Sequence, residues 1–134
     1  MSNMPRVQEV VIPILRATLP DTVKVGSWIE HIDDRTYPMI NVRRLGGLAR
    51  DIRMLDLATI ELTAYDSTDL ETTEQLLMDC MEILWDARTL QTTVPGKGYI
   101  HSYRQTMGPT QFDSPFDDSW RIQSLIQLGI RPNR

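Results

Sequence analysis

Few residues in this chain of 134 could do chemistry, and their spacing argues against most of it. Gly96-Lys97-Gly98 has the glycines and the lysine of a phosphate cradle. Such a loop needs a longer glycine run, with the lysine followed by Ser or Thr at a helix start. Here Gly98 and Tyr99 follow and an alternating segment comes next, which predicts a turn. His31 and His101 are the only histidines. His31 with Asp33 and Asp34 could hold a metal only if the fold brought His101 close, and the spacing does not demand it. A solvated loop histidine and a strand-surface histidine are expected instead. Cys80 is the only cysteine, which excludes an intrachain disulfide and a cysteine-based zinc site. It falls on the apolar arc of a helix, so a buried, inert thiol is expected rather than a nucleophile partnered by His101. Gly26-Ser27-Trp28 does not supply the Gly-x-Ser-x-Gly of a nucleophile elbow. Asp79, Glu82 and Asp86 share a polar helix face, where carboxylates lack the burial that separates an acid from a base. That face reads as solvated, as an electrostatic contact, or as a repulsive channel wall. No catalytic residue, metal ligand or cofactor is assigned.

The elements around these residues are better defined. From Leu57 to Tyr65 the side chains alternate, with Ala58, Ile60, Leu62 and Ala64 on one face. A period of two marks a strand with one buried side. Thr68 and Glu71 have the spacing of a capping box, and a helix is predicted from there to Arg88. Its apolar arc of Leu70, Leu76, Leu77, Cys80, Met81, Ile83, Leu84 and Ala87 is wide enough to need cover on more than one side.

Pro5 to Leu19 reads as an amphipathic helix with Val7, Val10, Val11, Ile14, Leu15 and Leu19 at core spacing. Pro13 inside it removes a backbone bond, so the helix is either kinked there or starts late; a kink is favoured. Val23 and Val25 open a short strand ending near Trp28, and 30–35 is a polar loop. Met39 to Leu45 is a strand closed by Gly46-Gly47, and Leu48 to Leu55 is a long, mixed apolar and charged connection. An arm of that kind suits docking, with Arg50, Ile52, Arg53 and Met54 at its interface. Residues 89–94 form a linker, Tyr99 to Met107 a strand, Gly108 to Asp118 an irregular stretch and Trp120 to Ile130 the closing strand. Phe112 and Phe116 lie in that irregular stretch and must either fold back over the sheet edge or dock on a partner. The expected fold is one α+β domain over residues 1–134, in the order α-β-β-β-α-β-β. Its mostly antiparallel sheet has about five strands, with two helices on one face.

Composition narrows the function classes. A hydrophobic content of 41% with 24% charged residues is that of a globular chain able to bury a core. The formal net charge of −4 and pI near 5.1 speak against broad nucleic-acid binding, which needs a basic footprint. No apolar run approaches the ~20 residues that span a bilayer, and Gln8, Glu9 and Arg16 interrupt any signal-peptide core. A soluble intracellular chain with no membrane partner is expected.

The order of these segments resembles tail terminator proteins of long-tailed, siphophage-type bacteriophages of actinobacteria. The likeness lies in the first helix ending at Leu19-Pro20-Asp21 before Val23-Lys24-Val25-Gly26, and in the run from Tyr37-Pro38-Met39 through Arg43-Arg44-Leu45-Gly46-Gly47. It continues in Ile60-Glu61-Leu62-Thr63-Ala64-Tyr65 leading into the long helix, then in Gly108-Pro109, the Asp- and Pro-containing loop and an Arg-bearing last strand.

The resemblance implies a structural virion protein with no catalysis. It implies a hexameric ring that caps the tail tube, ends its polymerisation and offers a surface for head–tail joining. The implied partners are further copies of the chain, the tail tube protein and a head–tail connector protein. The implied place is the head-proximal end of the tail, after assembly in the host cytoplasm. DNA would pass through the channel without specific binding. Another neck component, such as a head-completion or adaptor protein, is the nearest alternative. A small α+β enzyme or ligand-binding domain is a further one, and it would need a convergent polar pocket.

Overall fold

The computed structural model of the chain describes residues 3–27 and 36–133. Trp28, His31, Asp33 and Asp34 therefore lie outside the described residues, as does the side chain of Arg50. The elements in order are α1 (Val7–Thr18), β1 (Lys24–Gly26), β2 (Met39–Asp51), β3 (Leu55–Asp66), α2 (Leu70–Leu90), β4 (Thr93–Val94), β5 (Gly98–Phe112) and β6 (Trp120–Pro132). They form one six-stranded sheet in the order β1-β2-β3-β6-β5-β4, antiparallel except where β1 meets β2. Both helices pack on the face that carries Ile40, Val42, Ala58, Ile60, Leu62, Ile122, Ile126, Leu128 and Ile130. The sixth strand is β4, two residues long, in the segment expected to be a linker. Two residues show no periodicity; only pairing with Gly98 and Tyr99 makes them a strand.

The helices follow their apolar spacing. In α1 the buried set is Val7, Val10, Val11, Ile14 and Leu15, with Leu19 just beyond. The helix begins at Val7 and runs through Pro13, which excludes a late start; the proline lies on the exposed side. In α2 the buried residues are Thr73, Leu77, Cys80, Met81, Leu84 and Ala87. The N-cap of α2 is Asp69, not Thr68: its carboxylate accepts from the Thr72 N–H at 2.6 Å. Thr68 is held elsewhere, its hydroxyl donating to Asp66 Oδ1 at 3.1 Å. A carboxylate is at least as good a cap as a hydroxyl, so the tighter local turn at Asp66 decides between them.

The start of α1 is anchored to the β4–β5 turn. Lys97 pairs with Glu9 Oε2, and Arg6 Nε donates to Glu9 Oε1 at 2.9 Å. These cations, Lys97 first and then Arg6, hold the Glu9 carboxyl at about 2 against an ordinary 4.5. A depressed folded pKa contributes stability that is present above the unfolded value and lost as pH falls through the folded one. The gap in Tm between the natural chain and Glu9→Gln should therefore be widest near neutral pH. It should close as pH falls from about 4.5 to about 2. A gap independent of pH would show that the glutamate acts through packing instead.

Candidate interaction surfaces

The connection from Leu48 to Leu55 is not a loose arm but the end of a long β-hairpin. β2 continues past Gly46-Gly47 to Asp51, and only Ile52, Arg53 and Met54 form the turn. Strand pairing continues through Leu48↔Leu57, Ala49↔Asp56 and Asp51↔Leu55. The two glycines, which read as a strand end, instead make a bulge between Arg44 and Gly46. They take φ of +131° and +95°, a conformation closed to most side chains. Leu45, the residue in the bulge, is turned partly outward.

The root of the hairpin is clamped. Arg44 sends NH1 to Asp56 Oδ2 at 2.5 Å and NH2 to Oδ1 at 2.9 Å, while its Nε donates to the Gly46 carbonyl at 2.9 Å. Asp56 is buried, and the pairing raises the Arg44 pKa further. A two-point guanidinium–carboxylate pair fixes direction as well as distance. The tip beyond it presents Leu48 at 82% exposure, Ile52 at 73%, Met54 at 40%, and exposed Arg53.

At the opposite end of the sheet the two phenylalanines part company. Phe112 is the last residue of β5, which passes through Gly108-Pro109 with register shifts rather than breaking. Its ring is exposed and lies beside the Arg121 guanidinium, 5.4 Å from the ring centre. Phe116 folds back: its ring meets buried Tyr65 at 5.9 Å with planes tilted by 59°. The loop around it is tied down by Ser114 to Ser119 at 2.8 Å, by the Phe116 N–H to Ser114 Oγ at 3.1 Å, and by Tyr37 Oη to Asp118 at 2.7 Å. Trp120 adds a second exposed ring at this end.

The third surface is the outer side of α2. Asp79, Glu82 and Asp86 are all exposed there, as expected. The helix carries five acidic residues and one arginine, so it holds the whole formal excess of −4 and the rest of the chain balances. Met78 and Trp85 lie seven apart on this same side, 48% and 45% exposed. Neither is among the residues the sequence singles out. Their signal is that two large apolar residues at helical spacing fall within the acidic stripe rather than in the core arc. Trp85 stands edge-on to Tyr103 of β5, with ring centres 5.4 Å apart, and the Arg88 guanidinium lies 4.4 Å from its ring. Burial of Tyr103 pushes its hydroxyl up to about 12.

The residues considered for chemistry are dispersed. His101 is exposed on β5, whereas Cys80 is fully buried in α2 with its thiol pushed up to about 12 by burial and by Asp79. Gly96, at φ +74°, makes the β4–β5 turn. Lys97 is paired with Glu9 inside an open cleft of about 1000 Å³ that Met4, Tyr99 and Asn133 also line. No group of three or more His, Cys, Asp or Glu among the described residues could hold a metal ion. No helix among them is long and apolar enough to cross a membrane. Among the described residues these groups do not converge, whereas exposed apolar side chains gather at the hairpin tip, on the outer side of α2 and at the Phe112–Trp120 end.

A family model described as phage tail termination protein matches residues 3–134. The chain belongs to that family. The gene 22 proteins of Mycobacterium phages D29 and L5 are each 44% identical to it over 137 aligned residues, spanning 100% of this chain and 98% of theirs. As a phage tail termination protein it is a structural virion component of the tail. Family membership also implies an interaction with the tail tube.

Proposed function

We propose that this tail termination protein caps the finished tube as a hexameric ring, ends polymerisation and presents its outer surface to a head–tail connector protein. The observation that carries the reading is the distribution of exposed apolar side chains. They gather at the hairpin tip, on the outer side of α2 and at the Phe112–Trp120 end, around a core that is already filled. A subunit meant to stay alone would not group them, because contiguous exposed apolar surface favours association. A ring subunit needs separate surfaces for its neighbours, for the tube below and for the connector above. Ile52, Met54 and Phe112 are then interface residues, with Arg53 in the charged rim.

Electron microscopy of the purified protein, alone and mixed with tail tubes, tests this. Six-fold rings on tube ends are the expected result, even if the free protein stays monomeric until a tube end templates the ring. A protein that never associates with tubes under any condition overturns the proposal.

The charge gives a second expectation. With a net charge of −4 and an exposed acidic helix, the protein should show no tight binding to duplex DNA at moderate ionic strength. Neutralising phosphates takes a surplus of Lys and Arg, which this chain does not have. Tight, salt-sensitive binding in a filter or mobility assay would count against a DNA-passing ring.

A further inference from the structure

We propose that the β2–β3 hairpin tip of one subunit seats on the Met78–Trp85 stripe of α2 in a second copy of the chain. This rests on the ring reading above and assigns the acidic helix face to subunit contact rather than to the channel wall.

Three observations converge on that occupant. The first is apolar matching: the tip offers Leu48, Ile52 and Met54, while the stripe offers Met78 and Trp85. Trp85 is already oriented by Tyr103 and Arg88, so little side-chain freedom remains to be lost on docking. An oriented, half-exposed tryptophan is the usual kind of anchor in an interface.

The second is charge. Glu82 lies along the stripe, with Asp79 and Asp86 beside it, on the element that carries the chain's whole negative excess. At the tip, Asp51 Oδ1 accepts the Arg53 N–H at 2.9 Å within the turn, while Arg53 itself is exposed. Docked on the stripe, the exposed Arg53 at the apolar tip would meet the acidic rim at Glu82, a pairing that selects orientation as well as partner.

The third is placement. β2 lies next to one edge strand of the sheet, whereas β5, against which Trp85 rests, lies next to the other. The hairpin is formed by β2 and β3, so only β6 lies between it and β5, about 10 Å across the sheet from β3 at the usual strand spacing. The Arg44–Asp56 clamp and the glycine bulge hold the root of the hairpin within the sheet. Two different, complementary patches make a head-to-tail contact, and repetition of such a contact closes a ring when the rotation divides the circle.

Cysteine cross-linking of tube-bound protein tests the pairing. Ile52→Cys and Met78→Cys are both at exposed positions, and buried Cys80 will not compete. Mixing the two single variants on tail tubes should give a cross-linked dimer that neither variant gives alone. The double variant should give a ladder up to the ring size. Charge reversal supplies an independent arm. Arg53→Glu and Glu82→Arg should each weaken ring formation by about tenfold, and the two together should restore most of it. Electron microscopy of the same samples reports separately whether rings are present. Rings without the mixed cross-link overturn the docking and leave the ring reading standing. A Met78–Met78 cross-link would mean a two-fold contact between helices, and an Ile52 cross-link to tube protein would make the tube the occupant; either overturns the proposal. Loss of tube association in the unmutated protein overturns both readings.

Discussion

Gly47→Ala is expected to lower the melting temperature by about 10 °C. A methyl group at Gly47 would lie 2.0 Å from the Leu57 carbonyl oxygen and 2.9 Å from the Thr59 nitrogen. Both are backbone atoms of the partner strand, so no side chain can move aside. The φ of +95° adds strain on its own, about 1–3 kcal/mol for a residue with a Cβ. Separating the strands enough to admit the methyl would also pull at the Arg44–Asp56 clamp just below the bulge. A total near 3 kcal/mol follows, and at this chain length each kcal/mol is worth about 3–5 °C. Gly46→Ala is the control: its φ is also positive, at +131°, but nothing lies within 4 Å of the added atom. Thermal and urea unfolding of both variants checks this. Equal losses in the two would show that strain alone, not the close approach, sets the requirement for glycine. Misdirecting the tip should also impair termination at temperatures where the variant is still folded.

Phe112→Ala and Phe116→Ala should separate function from fold. Phe112 is 37% exposed, at the end of a strand, with the Arg121 guanidinium 5.4 Å from its ring centre. Its truncation should shift the melting temperature by no more than about 2–3 °C, the size of a small surface effect. If its ring docks on the tube or the connector, the same change should abolish termination, giving tails of abnormal length that fail to join heads. Phe116 is the reverse case. Its ring lies on Tyr65 inside a loop closed by Ser114, Ser119 and the Tyr37–Asp118 bond. Half-buried, it should cost less than the ~3–5 kcal/mol of a core phenylalanine, on the order of 2 kcal/mol. Complementation of a terminator-deficient phage, scored by tail length in negative stain, reads the first effect; unfolding of the purified variants reads the second. A Phe112 variant that terminates normally removes that ring from the interface. A Phe116 variant with unchanged stability would return the loop to the docking surfaces.

The local pattern was enough for much of this architecture. Alternation in Leu57–Tyr65 and Trp120–Ile130, and helical spacing in α1 and α2, report which side of each element is buried. The structure buries those sides except at the start of the last strand, where Trp120, which the alternation turns inward, is exposed and Gln123, which it turns outward, is buried. The single cysteine, the acidic excess and the order of segments were also legible, and with them the family. Where the reading stopped short, the deciding contact lay far away in the chain. Gly46-Gly47 looks like a strand end because glycine has no side chain to show a period. Pairing with Ala58 and Thr59 is what turns it into a bulge inside a longer strand. β4 exists only because Gly98 and Tyr99 lie beside it, and β5 passes through Gly108-Pro109 only because β6 supplies partners across the irregularity. Phe116 and Phe112, four residues apart in one polar stretch, have opposite fates because Tyr65 stands within reach of one and not the other. Periodicity reports burial along a segment; which distant segment does the burying is set by strand register and loop closure, and those exist only once the chain has folded.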